Sequence, residues 1–229
     1  MKFKRFSLIF SAFFIFSALS AQVPSVVKNI RIPLWAELDA YPEFASDSSN
    51  PEINDFSYPV KGIREVAPFI IEGMVYGWTF KYTPLDKARG IEEILEIKPV
   101  QELNPLYEPV KYSSPWIEDN KLNCWCEFTR NDFQIQAYNL WSSIKNPVIQ
   151  GRGTGDLKLG FEGVREAASN ALKDAIRKYY RSLIKNKPKE INGKVLIRKM
   201  PVIGVDSGHY TIILDFFLEC GTIIEYSVY

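Results

Sequence analysis

Between Phe161 and Leu183 apolar residues recur at spacings of three and four, and no other stretch restricts the fold of this chain as much. Phe161, Val164, Ala168, Ala171, Ala175, Tyr179 and Leu183 form one stripe, widened by Leu172, Ile176, Tyr180 and Ile184. Glu162, Arg165, Glu166, Lys173, Asp174, Arg177 and Arg181 fill the remaining face, which is the pattern of an amphipathic helix. Its charges follow the helix dipole, acidic at Glu162 and Glu166 and basic at Arg181 and Lys185. Lys187-Pro188 ends the pattern, so the helix should run for about 25 residues, or ~37 Å. Three strands are expected after it: Lys194–Ile203, Tyr210–Cys220 and Thr222–Val228, with a turn at Asp206-Ser-Gly208. The middle strand puts Tyr210, Ile212, Leu214, Phe216, Leu218 and Cys220 on one face. A long helix laid across an antiparallel sheet in β-α-β-β(-β) order buries both apolar surfaces.

The preceding part reads as β-rich and rich in loops. Prolines 24, 33, 42, 51 and 59 punctuate its start, and 46–51 has loop composition. Ile30–Leu38 and Ile91–Val100 read as strands, the second closed by Pro99. Ile63–Gly73 is expected as a short helix opening at Pro68, with an extended segment as the alternative. From Val75 to Tyr82 the residues alternate, so Tyr76, Trp78, Phe80 and Tyr82 share one strand face. After a proline-rich connector (Pro105, Pro109, Pro115), Lys121–Thr129 and Phe133–Trp141 suggest a hairpin turning at Arg130-Asn-Asp132. The expected organisation is therefore α+β: a leader at 1–21, a β-rich module at 22–146 and an α+β module at 147–229.

The leader is inferred from Lys2, Lys4 and Arg5, then an apolar run from Leu8 to Leu19, then small residues at Ala18, Ser20 and Ala21. That is the order of a secretory signal peptide, and the run is too short to span a bilayer. Periplasmic or secreted location, and no membrane-spanning segment after cleavage, follow as expectations. The whole chain carries 28 basic and 27 acidic residues, and three of the basic ones lie in the leader, leaving a formal charge of −2. Such a chain lacks the cationic excess that displaces phosphate counterions, which excludes a nucleic-acid partner. With 46% hydrophobic and 14% aromatic residues it can bury a core.

The motifs that suggest chemistry have simpler readings. Gly151-Arg-Gly-Thr-Gly155 fails both dinucleotide and P-loop patterns: Asp156 stands where the first needs glycine, and Phe161 where the second needs lysine. A strand-to-helix turn is expected there. Asp206-Ser-Gly-His209 gathers a carboxylate, a hydroxyl and the only imidazole, but a triad needs groups converging from separated positions. Glu92, Glu93 and Glu96 look like the charged side of a half-exposed strand rather than a glycosidase pair. Cys124, Cys126 and Cys220 are an odd set for an oxidising compartment. The first two, with Leu122 and Phe128, lie on one strand face as small apolar residues, and a bridge from one of them to Cys220 stays open. With one histidine there is no metal set, and no catalytic residue or cofactor is assigned. The row Tyr76, Trp78, Phe80 and Tyr82 is the candidate ligand-binding feature, a stacking platform for peptidoglycan sugars or a hydrophobic groove. Its alternative is a sheet face packed in the core. Tyr229 resembles the aromatic end of an outer-membrane barrel, but Ser227 and Glu225 on its face do not suit lipid.

The C-terminal part, through Gly151-Arg-Gly153 and Ala167, Ala171, Asp174 and Ala175, resembles exported bacterial envelope modules. These are the small secreted lipoproteins related to the N-terminal domain of flagellar assembly protein T. The resemblance covers about 80 residues, lacks the lipidation cysteine, and implies a non-enzymatic envelope module while transferring no catalytic residue. The first expectation is a structural or interaction role with an envelope protein or a second copy as partner. The second is a glycan or small hydrophobic ligand binder, and a hydrolase comes third.

Overall fold

The computed structural model describes residues 28–39 and 56–226. The expected leader, the loop at 46–51 and Tyr229 lie outside the described residues. In chain order the elements are β1 (Asn29–Glu37), α1 (Ser57–Val75), β2 (Trp78–Thr83), β3 (Ile94–Pro99), β4 (Lys111–Glu118), β5 (Lys121–Thr129), α2 (Asp132–Trp141), β6 (Val148–Asp156), α3 (Phe161–Leu183), β7 (Glu190–Ile197), β8 (Val202–Asp206) and β9 (His209–Ile224). Every strand pairing is antiparallel, and the fold is α+β. A six-stranded sheet runs β3-β2-β7-β9-β6, with β8 also on β9, and a three-stranded sheet runs β1-β5-β4.

The C-terminal unit forms around α3, which packs on β6 and β9. The even-numbered face of β9 is buried from Tyr210 to Leu218, as its alternation requires. The glycines of β6 do not make a turn. The strand continues through them to Asp156, and the turn comes at Leu157–Leu159. Their role is close approach. A Cβ on Gly151, Gly153 or Gly155 would lie 1.9, 2.1 or 1.9 Å from the carbonyl oxygens of Ala171, Ala167 and Gly163. The helix answers with its own small residues at every fourth position, so backbone meets backbone. This proximity also lets α3 cover a sheet edge. Asp174 accepts from the Arg152 N–H at 3.1 Å, Glu166 from the Asp156 N–H at 3.2 Å, and Asn170 donates to the Thr154 carbonyl at 2.8 Å. Edge groups that would otherwise invite another strand are thereby occupied.

The expected strand Lys194–Ile203 is two strands, because Pro201 has no N–H with which to continue the ladder. Both lie against β9, which extends to Ile224 and takes in the start of the strand expected at Thr222–Val228. Ser207 and Gly208 both have positive φ, the conformation of a tight two-residue hairpin turn, where that turn was expected.

Helix α1 joins the two sheets, contacting β1 and β5 on one side and β7 and α3 on the other. Pro68 lies in its interior rather than at its start. A proline there costs about 3 kcal/mol. Burying Ile63, Val66, Ile70 and Ile71 contributes about 1.5–3 kcal/mol each, so burial wins. The helix closes where Tyr76 and Gly77 both donate to the Glu72 carbonyl, with Gly77 at φ 80°. Tyr76 therefore belongs to the helix end, and the strand expected from Val75 begins at Trp78.

In the smaller sheet, Ile30, Ile32, Leu34 and Ala36 of β1 pair with Phe128, Cys126, Cys124 and Leu122 of β5, and all eight are buried. Leu38 N–H bonds to the Asn120 carbonyl and Arg130 N–H to the Lys28 carbonyl, so even-numbered β1 residues hydrogen-bond to β5. Pro33 then has its missing N–H on the free edge, where it breaks no ladder. The hairpin that β5 makes is with β4, through Asp119 and Asn120 at positive φ. No hairpin turns at 130–132. Asn131 instead caps α2, accepting from Gln134 N–H while the Gln134 side chain accepts from Asn131 N–H, each at 2.9 Å. The proline-rich connector contributes β4 itself, with a bulge between Ser113 and Trp116 that accommodates Pro115. The boundary expected at residue 146 runs through one sheet, since β2 hydrogen-bonds to β7.

Candidate functional site

The aromatic row does not form a surface. Trp78, Phe80 and Tyr82 are 1%, 3% and 3% exposed, so no sugar ring can lie on them. Trp78 stacks on Phe69 of α1 at 4.8 Å and meets Phe216 of β9 at 6.2 Å. The Tyr82 hydroxyl donates to Glu93 at 2.6 Å, and Arg177 of α3 holds the same carboxylate at 3.5 Å. Tyr76 lies apart from these rings and donates its hydroxyl to Glu108. Burial and then that carboxylate push its pKa up to about 12. The candidate ligand residues Tyr76, Trp78, Phe80 and Tyr82 are thus three core side chains and a helix-end anchor. Sheet alternation directs large aromatics inward wherever helices cover that face, and here Phe69 of α1 lies on Trp78 while Arg177 of α3 reaches the Tyr82 end.

The other candidate groups do not converge either. In the β8–β9 turn the Ser207 hydroxyl donates to Asp206 at 3.0 Å, while the His209 ring lies 3.0 Å from the Ser207 carbonyl oxygen, a backbone contact. Glu93 turns toward Tyr82 and Arg177, whereas Glu96 is in register with Lys81, whose side chain alternates away from the core. Among the described residues no group of three or more His, Cys, Asp or Glu side chains is placed to hold a metal ion. Cys124 and Cys126 are buried free thiols, and Cys220 is an exposed one. Burial pushes the Cys126 thiol up to about 12 and raises Cys124 as well, so both are poor nucleophiles. Native protein purified reduced should therefore release one equivalent of colour rapidly with Ellman's reagent, from Cys220. The other two should follow only on unfolding, and rapid release of all three would contradict this burial.

The unexpected surface is on α2. From Phe133 to Ile144 the chain has no charged residue, although 24% of the whole is charged. Phe133 and Leu140 are 83% and 73% exposed, and Ile144 just beyond the helix is fully exposed. Gln136 and Asn139 are exposed beside them. The opposite side of the helix holds it in place. Gln134 is buried and donates to the Tyr76 hydroxyl at 2.9 Å and to Glu108 at 2.6 Å. Tyr138 packs edge-on against Phe217 and lies under the Arg130 guanidinium, 4.7 Å from the ring centroid. Arg130 in turn donates to the Met74 carbonyl at 2.7 Å. The Glu108 bonds also tie the loop carrying exposed Leu106 and Tyr107 to the first turn of α2. The charge-free run was visible in the sequence, but as an alternating strand it would have pointed half its apolar residues inward.

A protein-family model matches residues 18–226, and the chain belongs to that family. It is also similar to an uncharacterized protein of Treponema pallidum (strain Nichols), with 29% identity over 201 residues, 88% of this chain and 83% of the relative. No solved structure matches. Among the described residues no helix is long and apolar enough to cross a membrane.

Proposed function

We propose that this protein is an exported, non-enzymatic interaction module of the bacterial cell envelope that associates through α2 with a protein partner or a second copy. The observation that carries the reading is the uncharged, exposed set of Phe133 and Leu140 on a helix anchored from beneath, with Ile144 just beyond its end. The signal-type leader at 1–21 supports export to the periplasm or beyond. The resemblance of the β6–α3 region to small secreted lipoproteins and to the flagellar assembly protein T module supports an envelope role. The candidate chemistries of the turn at 206–209 and of the Glu92–Glu96 group lack converging partners, which favours binding over catalysis.

Chemical crosslinking in native envelopes tests this, followed by size-exclusion chromatography of the purified protein. A discrete crosslinked species should form and be lost in the combined variant Phe133→Ser, Leu140→Ser, Ile144→Ser. Because these side chains are already in solvent, the variant's stability should stay within about 1 kcal/mol of the parent. A lone monomer under all conditions, or an unchanged crosslink in the variant, rejects the reading. N-terminal sequencing of the protein from the envelope fraction checks the leader, with Gln22 expected as the first residue.

A further inference from the structure

Positive charge is unevenly distributed along this chain. Of its 28 basic and 27 acidic residues, seven and one fall within 173–189, so the remainder carries 21 against 26. The fold keeps part of this excess unpaired at the C-terminal end of α3. Arg177 and Lys178 are paired, with Glu93 at 3.5 Å and Asp174 at 2.6 Å. Lys189 has Glu190 beside it, and its N–H bonds to the Ile224 carbonyl next to exposed Glu225, so it adds little to the excess. Arg181, Lys185 and Lys187 remain. All three are exposed, and none forms an ion pair among the described residues. The Lys187 ammonium donates to the Leu85 carbonyl oxygen at 2.8 Å, which leaves its charge uncancelled and ties the loop 84–90 to the end of α3. That loop adds Lys87, exposed and likewise without an ion pair among the described residues, while its Arg89 is bound to Asp86. Glu92, also exposed, offsets at most one of these four charges.

The helix dipole places about half a negative charge at the end of α3. That accounts for Arg181 in its last turn, but not for four cations gathered around it. Among the cations stand two exposed apolar side chains, Leu183 at 61% and Leu85 at 42%. Solvation of the helix end does not require them. Cations flanking exposed leucines match the interface of an anionic bilayer, where headgroup charge overlies hydrocarbon. A nucleic-acid duplex offers phosphate charge but no apolar layer for the leucines.

We propose that the C-terminal end of α3 and the 84–90 loop dock this protein on a membrane surface containing anionic phospholipid. Arg181, Lys185, Lys187 and Lys87 meet the headgroups, and Leu183 and Leu85 insert between them. The surface does not involve α2, so it stands or fails separately from association through that helix. Vesicle sedimentation of the full chain tests it, using phosphatidylcholine vesicles and vesicles of phosphatidylcholine and phosphatidylglycerol in equal parts. Binding should be stronger to the mixed vesicles and should weaken as salt is raised. Each Lys or Arg near an anionic surface strengthens binding about fivefold, so the double variant Arg181→Gln, Lys185→Gln should bind the mixed vesicles roughly tenfold or more weakly. The control Lys98→Gln, Lys111→Gln removes the same charge from exposed side chains elsewhere and should bind as the parent does. Lys2, Lys4 and Arg5 are common to all variants, so the comparison isolates the patch. Leu183→Ser should weaken binding about threefold with no change of charge. Circular dichroism of each variant should match the parent. No preference for the mixed vesicles, unchanged binding in the folded patch variant, or equal loss in the control would overturn the proposal. A short DNA duplex bound as tightly as the mixed vesicles, or unchanged binding in Leu183→Ser, would reveal a general polyanion site and overturn it too.

Discussion

Gly153→Ala should destabilise the protein by about 3 kcal/mol or more in urea unfolding, from the addition of a single methyl group. The new Cβ would lie 2.1 Å from the Ala167 carbonyl oxygen and 2.2 Å from the Ala171 nitrogen. Both are backbone atoms of α3, so no rotamer change relieves the clash, and the helix must lift off β6. Lifting it also lengthens the bonds from Asp174, Asn170 and Glu166 to the β6 edge. Alanine would reduce the freedom of the unfolded chain, which favours folding by about 0.4–1 kcal/mol, too little to compensate. Gly204→Ala is the control. Its Cβ would meet nothing closer than the Thr211 hydroxyl at 3.4 Å, and it should cost less than about 1 kcal/mol. Equal effects at the two positions would mean that the β6–α3 contact is not the close approach described here.

Trp78→Ala should cost about 3–5 kcal/mol, measured by the same unfolding experiment. The indole fills space between Phe69 of α1 and Phe216 of β9, and the loss leaves a cavity where α1 meets the large sheet. Trp78→Phe should be milder. It keeps most of the ring volume and removes the Trp78 indole N–H, which has no hydrogen-bond partner among the described residues. If Trp78→Ala instead left stability unchanged and abolished binding to purified peptidoglycan, the ring would be a sugar platform after all.

Local pattern was sufficient where one face of an element carries its whole meaning. The stripe from Phe161 to Leu183, the alternation of β9, the buried side of β5 and the Asp206–Gly208 turn can all be read from spacing, because period and turn chemistry are properties of neighbouring residues. Pattern misled where two structures share it. Phe133, Ile135 and Ala137 alternate like a strand, yet the reciprocal Asn131–Gln134 cap, worth about 1 kcal/mol, starts a helix. The run Tyr76, Trp78, Phe80, Tyr82 crosses a helix end at Gly77, so one of its four rings never shared the strand face.

The sequence by itself determined the α+β class, the long helix with its antiparallel sheet, and the near-neutral balance of charge, since each depends on composition or on contacts between close neighbours. Only the tertiary structure decided what the aromatic and glycine motifs are for. Whether the aromatic row is core or platform depends on the packing of α1 on Trp78 and of α3 near Tyr82, and whether glycines 151, 153 and 155 form a turn or a contact face depends on where α3 lands. The pairing of β2 with β7 joins residues more than a hundred positions apart. Long-range packing of this kind leaves no periodic trace in the sequence, because it depends on which surfaces remain to be buried after the local elements have formed.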